Sequence, residues 1–174
     1  MNLVQKKICL LGDFAVGKTS LVRRYIEGRF DDNYLSTIGV KISSKVLERR
    51  DYQLNLIIWD LAGGEKFLGH DKNYLRGAAG AILVCDLTRS NTLEYLFNYA
   101  EMMRDSNPKS IFVIAANKAD LEGEDEIQDS DLDPICKLLS CSYFFTSAKT
   151  GENVENCILL LANQIESRSE IDPQ

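Results

Sequence analysis

The sequence lacks several features that define large classes of protein. It has no apolar run near the ~18 residues of a membrane-spanning helix, and its N-terminal MNLVQKK contains no apolar signal core. It has no excess of positive charge, because 20 Lys and Arg against 26 Asp and Glu give a net charge of −6. This balance argues against general nucleic-acid binding and against electrostatic docking on anionic membranes. We therefore expect a cytoplasmic protein with no nucleic-acid partner and no evident membrane attachment.

Zinc-binding patterns of cysteine and histidine are also lacking. The five cysteines form no CxxC pair, and His70 is the only histidine, so no zinc-type spacing is present. We expect reduced thiols, as in cytosolic proteins. Asn2 excludes N-myristoylation, and Cys157 is the last cysteine, so the printed C-terminus carries no prenylation box.

What the sequence does contain is a regular alternation of strand-like and helix-like segments. Its 174 residues fit one domain, which we predict to span 1–174. The predicted strands are 6–12, 41–48, 54–60, 80–86, 111–117 and 142–146, and the predicted helices are 18–28, 66–77, 91–105, 131–140 and 152–167. This order predicts an α/β fold with a mostly parallel sheet covered on both faces. Only a turn separates 41–48 from 54–60, so this pair should be antiparallel.

A phosphate-binding segment follows the first predicted strand. GDFAVGKTS at 12–20 fits G-x-x-x-x-G-K-[ST] and opens a helix. Its backbone N–H groups can approach phosphate oxygens at the helix N-terminus, Lys18 adds a point charge, and the Thr19 hydroxyl can ligate Mg²⁺. The predicted phosphate-binding residues are Asp13, Phe14, Ala15, Val16, Gly17, Lys18, Thr19 and Ser20. The motif alone does not distinguish a kinase, an ATPase and a GTPase.

Two further segments predict a guanine base. NKAD at 117–120 and SAK at 147–149 each follow a predicted strand. Asp120 can accept hydrogen bonds from guanine N1–H and N2–H₂, a pair that adenine does not offer, and the Ala148 N–H can donate to guanine O6. The predicted base-binding residues are Asn117, Lys118, Asp120, Ser147, Ala148 and Lys149. Phe30 either stacks on the base edge or packs on the core as a loop aromatic.

With these segments in place, the chain resembles the Ras superfamily of small GTPases, and within it the Rab family most closely. The similar stretches include YLSTIGV at 34–40, WDLAGGE at 59–65, YLRGAAG at 74–80, LVCDLT at 83–88 and SAKTGENVE at 147–155. The resemblance implies a three-layer P-loop GTPase fold with a six-stranded, mostly parallel sheet, one antiparallel strand and five helices. It also implies two switch regions, near 31–42 and 61–76, that order around the γ-phosphate and Mg²⁺.

The resemblance also implies individual residue roles. Thr37 would ligate Mg²⁺ and sense the γ-phosphate, Asp60 would hold Mg²⁺ through water, Gly63 would donate its N–H to the γ-phosphate, and Tyr34 would cover the phosphates. The implied metal set is Thr19, Thr37 and Asp60, and the implied catalytic set is Lys18, Thr37, Gly63 and Gly64. The implied partners are GTP and GDP, effectors, exchange factors and GTPase-activating proteins, and we expect a monomer.

The sequence departs from the family at the water-positioning residue. The second switch usually reads Gly-Gln-Glu, whereas here it reads Gly63-Gly64-Glu65. Glycine has no side chain to orient the attacking water, so we expect very slow intrinsic hydrolysis. His70 either replaces the glutamine or is a surface histidine.

A second departure lies in the phosphate loop, where Phe14 and Ala15 occupy positions at which small residues are common. Phe14 either covers the γ-phosphate region, hindering a partner's arginine finger, or points outward. The leading hypothesis is a GTPase switch that binds GTP and GDP with Mg²⁺ and signals to effectors. The alternative is a GTP-loaded binding module with negligible hydrolysis. A nucleotide kinase or ATPase is opposed by the base-binding segments.

Overall fold

The central sheet has six strands. The structure, a computed structural model, describes residues 2–33, 36–64 and 72–171. The strands are β1 Asn2–Gly12, β2 Val40–Glu48, β3 Tyr52–Leu61, β4 Ala78–Asp86, β5 Ile111–Asn117 and β6 Ser142–Phe145, in the order β2-β3-β1-β4-β5-β6. β2 pairs antiparallel with β3, and every other neighbouring pair is parallel. The predicted sheet, with its one antiparallel strand, is confirmed.

Helices cover both faces of this sheet. The described residues contain four α-helices, α1 Lys18–Glu27, α2 Glu94–Ser106, α3 Asp129–Leu139 and α4 Val154–Ile171. Side chains of α1 and α4 pack on one face of the sheet, and side chains of α2 and α3 pack on the other. Across the described ranges, no helix combines the length and the apolar character that crossing a membrane requires.

The predicted helix at 66–77 is the main correction. Residues 66–71 lie outside the described residues, and the part that is described forms a short 3₁₀ helix, Lys72–Leu75, followed by a turn. The helix predicted at 91–105 also begins differently, because a 3₁₀ turn, Ser90–Leu93, precedes α2. There the Thr92 hydroxyl accepts from the Asp86 N–H at 3.0 Å and donates to the Arg89 carbonyl at 2.7 Å. Such local side-chain bonds compete with the α-helical pattern.

The central strand β1 shows how the two apolar layers arise. Successive side chains of a strand point to opposite faces of the sheet. Ile8 and Leu10 therefore pack with α1 and α4, whereas Cys9 and Leu11 pack with α2 and α3, and all four are at most 1% exposed. A strand buried on both faces reads as a continuous apolar run, which is why KKICLLG could be recognised in the sequence.

All five cysteines are free thiols. Cys9 and Cys85 lie in the core under α2 and α3, and Cys157, a residue of α4, lies in the core on the other face of the sheet. Burial raises the pKa of each of these three thiols to about 12. They therefore remain protonated at neutral pH and act as small apolar side chains.

Side chains of α4 pack closely over Gly80 in β4. A Cβ at this position would lie 2.6 Å from the Ile111 carbonyl oxygen and 2.9 Å from Leu161 Cδ1. We expect Gly80→Ala to lower the free energy of unfolding by about 1–3 kcal/mol, because a well-packed core resists an added methyl group. Urea unfolding measures the change. Ser142→Ala, on the exposed side of β6, is the control and should stay within about 0.5 kcal/mol of wild type. Equal midpoints for the two variants would contradict the packing argument.

Candidate functional site

The loops that follow β1, β3, β5 and β6 meet at one edge of the sheet. In parallel sheets, ligands bind beyond the carboxyl ends of the strands. The described residues of the predicted site lie in these loops, at the ends of β3 and β5, in α1 and in the segment between α1 and β2. The fold therefore brings to one edge segments that are more than 130 residues apart in the chain.

Lys18 occupies the centre of the phosphate loop. Its Nζ donates to the carbonyl oxygens of Gly12 at 2.9 Å and Asp13 at 2.8 Å, and the residue is only 6% exposed. Burial lowers the pKa of Lys18 to about 8, although the charges of Asp60 and Asp13 act in the opposite direction. An anion bound beside this ammonium would favour its charged form and raise that pKa. The site is therefore chemically prepared for a phosphate group.

Three oxygen-bearing side chains converge beside Lys18. The Thr19 hydroxyl donates to Asp60 Oδ2 at 2.6 Å and lies 2.5 Å from the Thr37 hydroxyl. Asp60 is 1% exposed, and its other oxygen, Oδ1, is buried with no hydrogen-bond partner among the described residues. Burial raises the pKa of this carboxyl above its ordinary value. These are the predicted metal ligands.

The donor set of Thr19, Thr37 and Asp60 fits Mg²⁺, which prefers hard oxygen ligands and usually shares them with a nucleotide phosphate. The Asp60 Oδ1 atom, which has no partner among the described residues, is available to a divalent cation. In the part of the chain that the structure describes, no group of three His, Cys, Asp or Glu could hold an ion by itself.

The backbone after β3 approaches the phosphate loop very closely. A Cβ on Gly63 would lie 2.6 Å from both the Asp13 carbonyl oxygen and Lys18 Nζ. The next residue, Gly64, has φ +94°, and its N–H donates to the Tyr99 hydroxyl oxygen at 3.2 Å. A side chain at residue 63 is therefore excluded, and one at residue 64 would hold an unfavourable left-handed backbone.

A cleft of about 370 Å³ adjoins the phosphate loop. Its lining includes predicted phosphate- and base-binding residues, namely Ala15, Gly17, Ser20, Asn117, Lys118, Asp120, Ala148 and Lys149. Phe30 lines the cleft and also packs against the core under α1 and α4, so stacking on a base stays a prediction. Asp120 Oδ1 accepts from the Ser147 hydroxyl at 2.6 Å, which fixes the carboxylate in the cleft.

The side chain of Asn117 joins the end of β5 to two loops. Its Nδ2 donates to the Val16 carbonyl at 3.0 Å, and its Oδ1 accepts from the Thr146 hydroxyl at 3.2 Å and the Ala148 N–H at 3.3 Å. The Ala148 N–H predicted to meet the base is thus engaged by Asn117 in this structure. Asn117 is 2% exposed, so it acts here as a brace.

Asp86 is a site residue that the sequence reasoning missed. Its buried carboxylate binds Lys118 Nζ at 2.7 Å and Arg89 Nε at 3.0 Å, and Arg89 Nη2 reaches the Phe14 carbonyl at 2.8 Å. Burial alone would raise the pKa of Asp86, but hydrogen bonds from Lys118, Thr88 and Arg89 outweigh it and lower that pKa. Asp86 therefore links the base-binding loop to the phosphate loop.

Arg24 on α1 was missed as well. Its Nε donates to the Ala148 carbonyl at 2.8 Å, and its Nη2 also donates to the Lys149 carbonyl. No sequence signal marked Arg24, whose partners in the loop after β6 lie over 120 residues away. A signal did exist for Asp86, because it ends the buried strand β4, much as Asp60 lies one residue before the end of β3.

Two residues with predicted roles, Tyr34 and His70, lie outside the described residues, so these roles stay predictions. Phe14 is 50% exposed, and its N–H donates to Asp13 Oδ1 at 2.7 Å. Ala15 has φ +58°, an unfavourable backbone for a residue with a side chain.

We expect Asn117→Ala to lower the free energy of unfolding by about 2–4 kcal/mol, because it leaves three buried polar groups without partners. The matched control is Asn156→Ala, since Asn156 is exposed and bonds only the Asn153 side chain among the hydrogen bonds described for it. The control should change stability by less than about 0.5 kcal/mol. Thermal unfolding without added ligand measures both, and a neutral Asn117→Ala would refute the brace.

Comparison with known proteins agrees with this geometry. The model of the Ras family matches residues 7–167. The chain is 36% identical over 168 residues to the Ras-related protein Rab-22A of Mus musculus and of Homo sapiens, covering 96% of this chain and 87% of each relative. It is 35% identical over 178 residues to the GTP-binding protein ypt4 of Schizosaccharomyces pombe, covering 97% of this chain and 76% of that protein. The chain therefore belongs to the Ras family, as a Rab-like small GTPase.

Proposed function

We propose that this small GTPase binds GTP and GDP together with Mg²⁺ in the described cleft and hydrolyses GTP very slowly. The observation that carries the proposal is the convergence beside Lys18 of an oxygen cluster, from Thr19, Thr37 and Asp60, with the backbone of Gly63. A buried ammonium and an unsatisfied buried carboxylate oxygen are both costly unless ligands compensate them. A nucleoside triphosphate with its magnesium ion compensates both.

Different residues of the chain would bind different parts of the triphosphate. Lys18 would hold the β- and γ-phosphates, and the Gly63 N–H would donate to the γ-phosphate. Thr19, Thr37 and Asp60 would hold Mg²⁺, which supplies charge neutralisation of the phosphates when bound. The backbone N–H groups of the phosphate loop would cradle the remaining oxygens at the N-terminus of α1.

The residues around the proposed base position support guanine as the bound base. Asp120 is fixed in the cleft by the Ser147 hydroxyl, so its carboxylate is preorganised to accept two guanine hydrogen bonds. Lys118 is held by Asp86 over the same cleft, and Phe30 supplies an aromatic wall. Adenine offers Asp120 no such pair of donors, which is how such a site would reject it.

Hydrolysis is the step where this chain differs from its family. Gly64 has no side chain that could orient the attacking water. The reference rate of Ras itself is of order 10⁻⁴ s⁻¹, and a further tenfold loss corresponds to about 1.4 kcal/mol of barrier. A second candidate function follows from the same residue: a GTP-loaded binding module with negligible hydrolysis. In either case effectors, exchange factors and GTPase-activating proteins are proposed partners.

The deciding experiment is a single-turnover assay. The protein is loaded with GTP and Mg²⁺, and GDP is followed by chromatography, with ATP as the comparison nucleotide. Loading with GTP but not ATP, followed by slow GDP formation, supports the switch. Loading without GDP formation favours the binding module. Failure to load any guanine nucleotide would overturn both.

Lys18→Ala is expected to weaken GTP and GDP binding roughly 10- to 100-fold, because it removes a charged donor to the phosphates. Lys137→Ala provides a matched control, since this lysine is exposed on α3. Isothermal titration in Mg²⁺ measures the dissociation constants. Unchanged affinity in Lys18→Ala would place the nucleotide elsewhere.

Gly64→Gln should raise the single-turnover rate at least about tenfold, because it supplies the missing water-positioning amide. Gly64→Ala is its control, since alanine adds the same backbone strain at φ +94° without the amide. Both variants should lose stability of about 1 kcal/mol. Equal rates for Gln and Ala would mean that water positioning at residue 64 does not limit hydrolysis.

A further inference from the structure

A buried tyrosine reaches the nucleotide site from the core. Tyr99 lies on α2 and is 1% exposed, in a buried stripe with Leu96, Ala100 and Met103. These positions recur at the spacing of one helix face. Its hydroxyl oxygen accepts a hydrogen bond from the Gly64 N–H at 3.2 Å. A residue fixed by core packing therefore contacts the backbone beside the γ-phosphate position.

The hydrogen bond between Tyr99 and Gly64 matters because of where it lies in the site. Gly63 lies against the Asp13 carbonyl and the Lys18 ammonium, while the adjacent Gly64 is held by Tyr99. The short segment is thus placed between the phosphate loop on one side and the α2 core on the other. A glycine pair has many accessible backbone conformations, so an anchor at residue 64 restricts residue 63 as well.

We propose that Tyr99 is a positioning residue whose hydroxyl holds the Gly63–Gly64 backbone against the phosphate loop, ready to receive the γ-phosphate. The inference rests on the proposed nucleotide site. Because Gly64 has no side chain that could order the site, a hydrogen bond to its backbone would do part of that ordering in this chain. The anchor acts on GTP and not on GDP, because only GTP carries the group that the Gly63 N–H would contact.

The protonation state of the Tyr99 hydroxyl suits its proposed role as a backbone anchor. Burial raises the pKa of Tyr99 to about 12, although the hydrogen bond from Gly64 acts in the opposite direction. The phenol therefore stays protonated and uncharged across the physiological range, and the anchor does not respond to pH. Its effect is one of geometry.

Tyr99→Phe tests the proposal, because it removes one oxygen atom and leaves the ring in the core. The measurements are the dissociation constants of GDP and of a non-hydrolysable GTP analogue, both with Mg²⁺, and the single-turnover rate with GTP. The matched control is Tyr143→Phe, whose hydroxyl on β6 bonds Asp129. A role confined to core stability would change the affinities of both nucleotides alike.

We expect the affinity of Tyr99→Phe for the GTP analogue to fall roughly threefold to tenfold, the scale of one hydrogen bond. Its affinity for GDP should stay within about twofold of wild type, its turnover rate should fall by a factor similar to that for the analogue, and Tyr143→Phe should change none of these. Equal losses for both nucleotides, or no loss for either, would overturn the positioning role. A wild-type protein that binds no guanine nucleotide would instead overturn the proposed function.

A measurement on the wild-type protein covers the case in which Tyr99→Phe does not fold. Amide hydrogen exchange of Gly64 can be followed by NMR with GDP and with the GTP analogue. Protection of this N–H in the analogue-bound protein is the expected result. Rapid exchange of the Gly64 N–H in that state would show that the anchor is not made, and would overturn the proposal.

Discussion

The side-chain amide of Asn117 is the interaction on which the arrangement of the site depends. It bonds the phosphate loop through Val16 and the loop after β6 through Thr146 and Ala148. A buried amide is stable only when its donors and acceptor find partners, so these two loops and the end of β5 must take one mutual position. The proposed base cleft and phosphate cradle are consequently fixed relative to each other before any ligand is present.

Charged groups then reinforce this arrangement from outside. Asp86 holds Lys118 and Arg89, and Arg89 in turn reaches the phosphate loop. Lys118 has φ +72°, a costly backbone for a lysine, and its ion pair with a buried carboxylate helps to maintain it. Arg24 likewise stabilises the loop after β6, by donating a hydrogen bond to the Ala148 carbonyl. The loops of the site thus derive their rigidity from partners in other elements.

The sequence could predict whatever depends on local pattern. The strands followed from apolar runs, Lys18, Thr19, Asn117 and Asp120 followed from short motifs at strand ends, and Asp60 followed from the family resemblance. Asp86 offered a signal, its place at the end of a buried strand, but its partners could not be read from the sequence. Arg24 and Tyr99 could not be assigned, because their roles come from partners that only the folded chain brings near. The 3₁₀ start before α2 was likewise hidden, since it depends on the Thr92 hydroxyl bonding backbone groups. The left-handed backbone of Gly64 could not be read from the sequence, which shows only that a glycine is present.

The distribution of buried thiols has a practical consequence. The thiolate is the reactive form of cysteine, and a thiol with a pKa of about 12 that lies inside the core presents neither charge nor surface to a reagent. Cys9 and Cys85 lie in the apolar layer beneath α2 and α3, and Cys157, on the inner side of α4, lies in the opposite layer. Alkylation of each of these three cysteines therefore requires its own layer to open. Site-resolved labelling rates would report how often each face of the sheet separates from its helices, using only residues that the natural chain already carries.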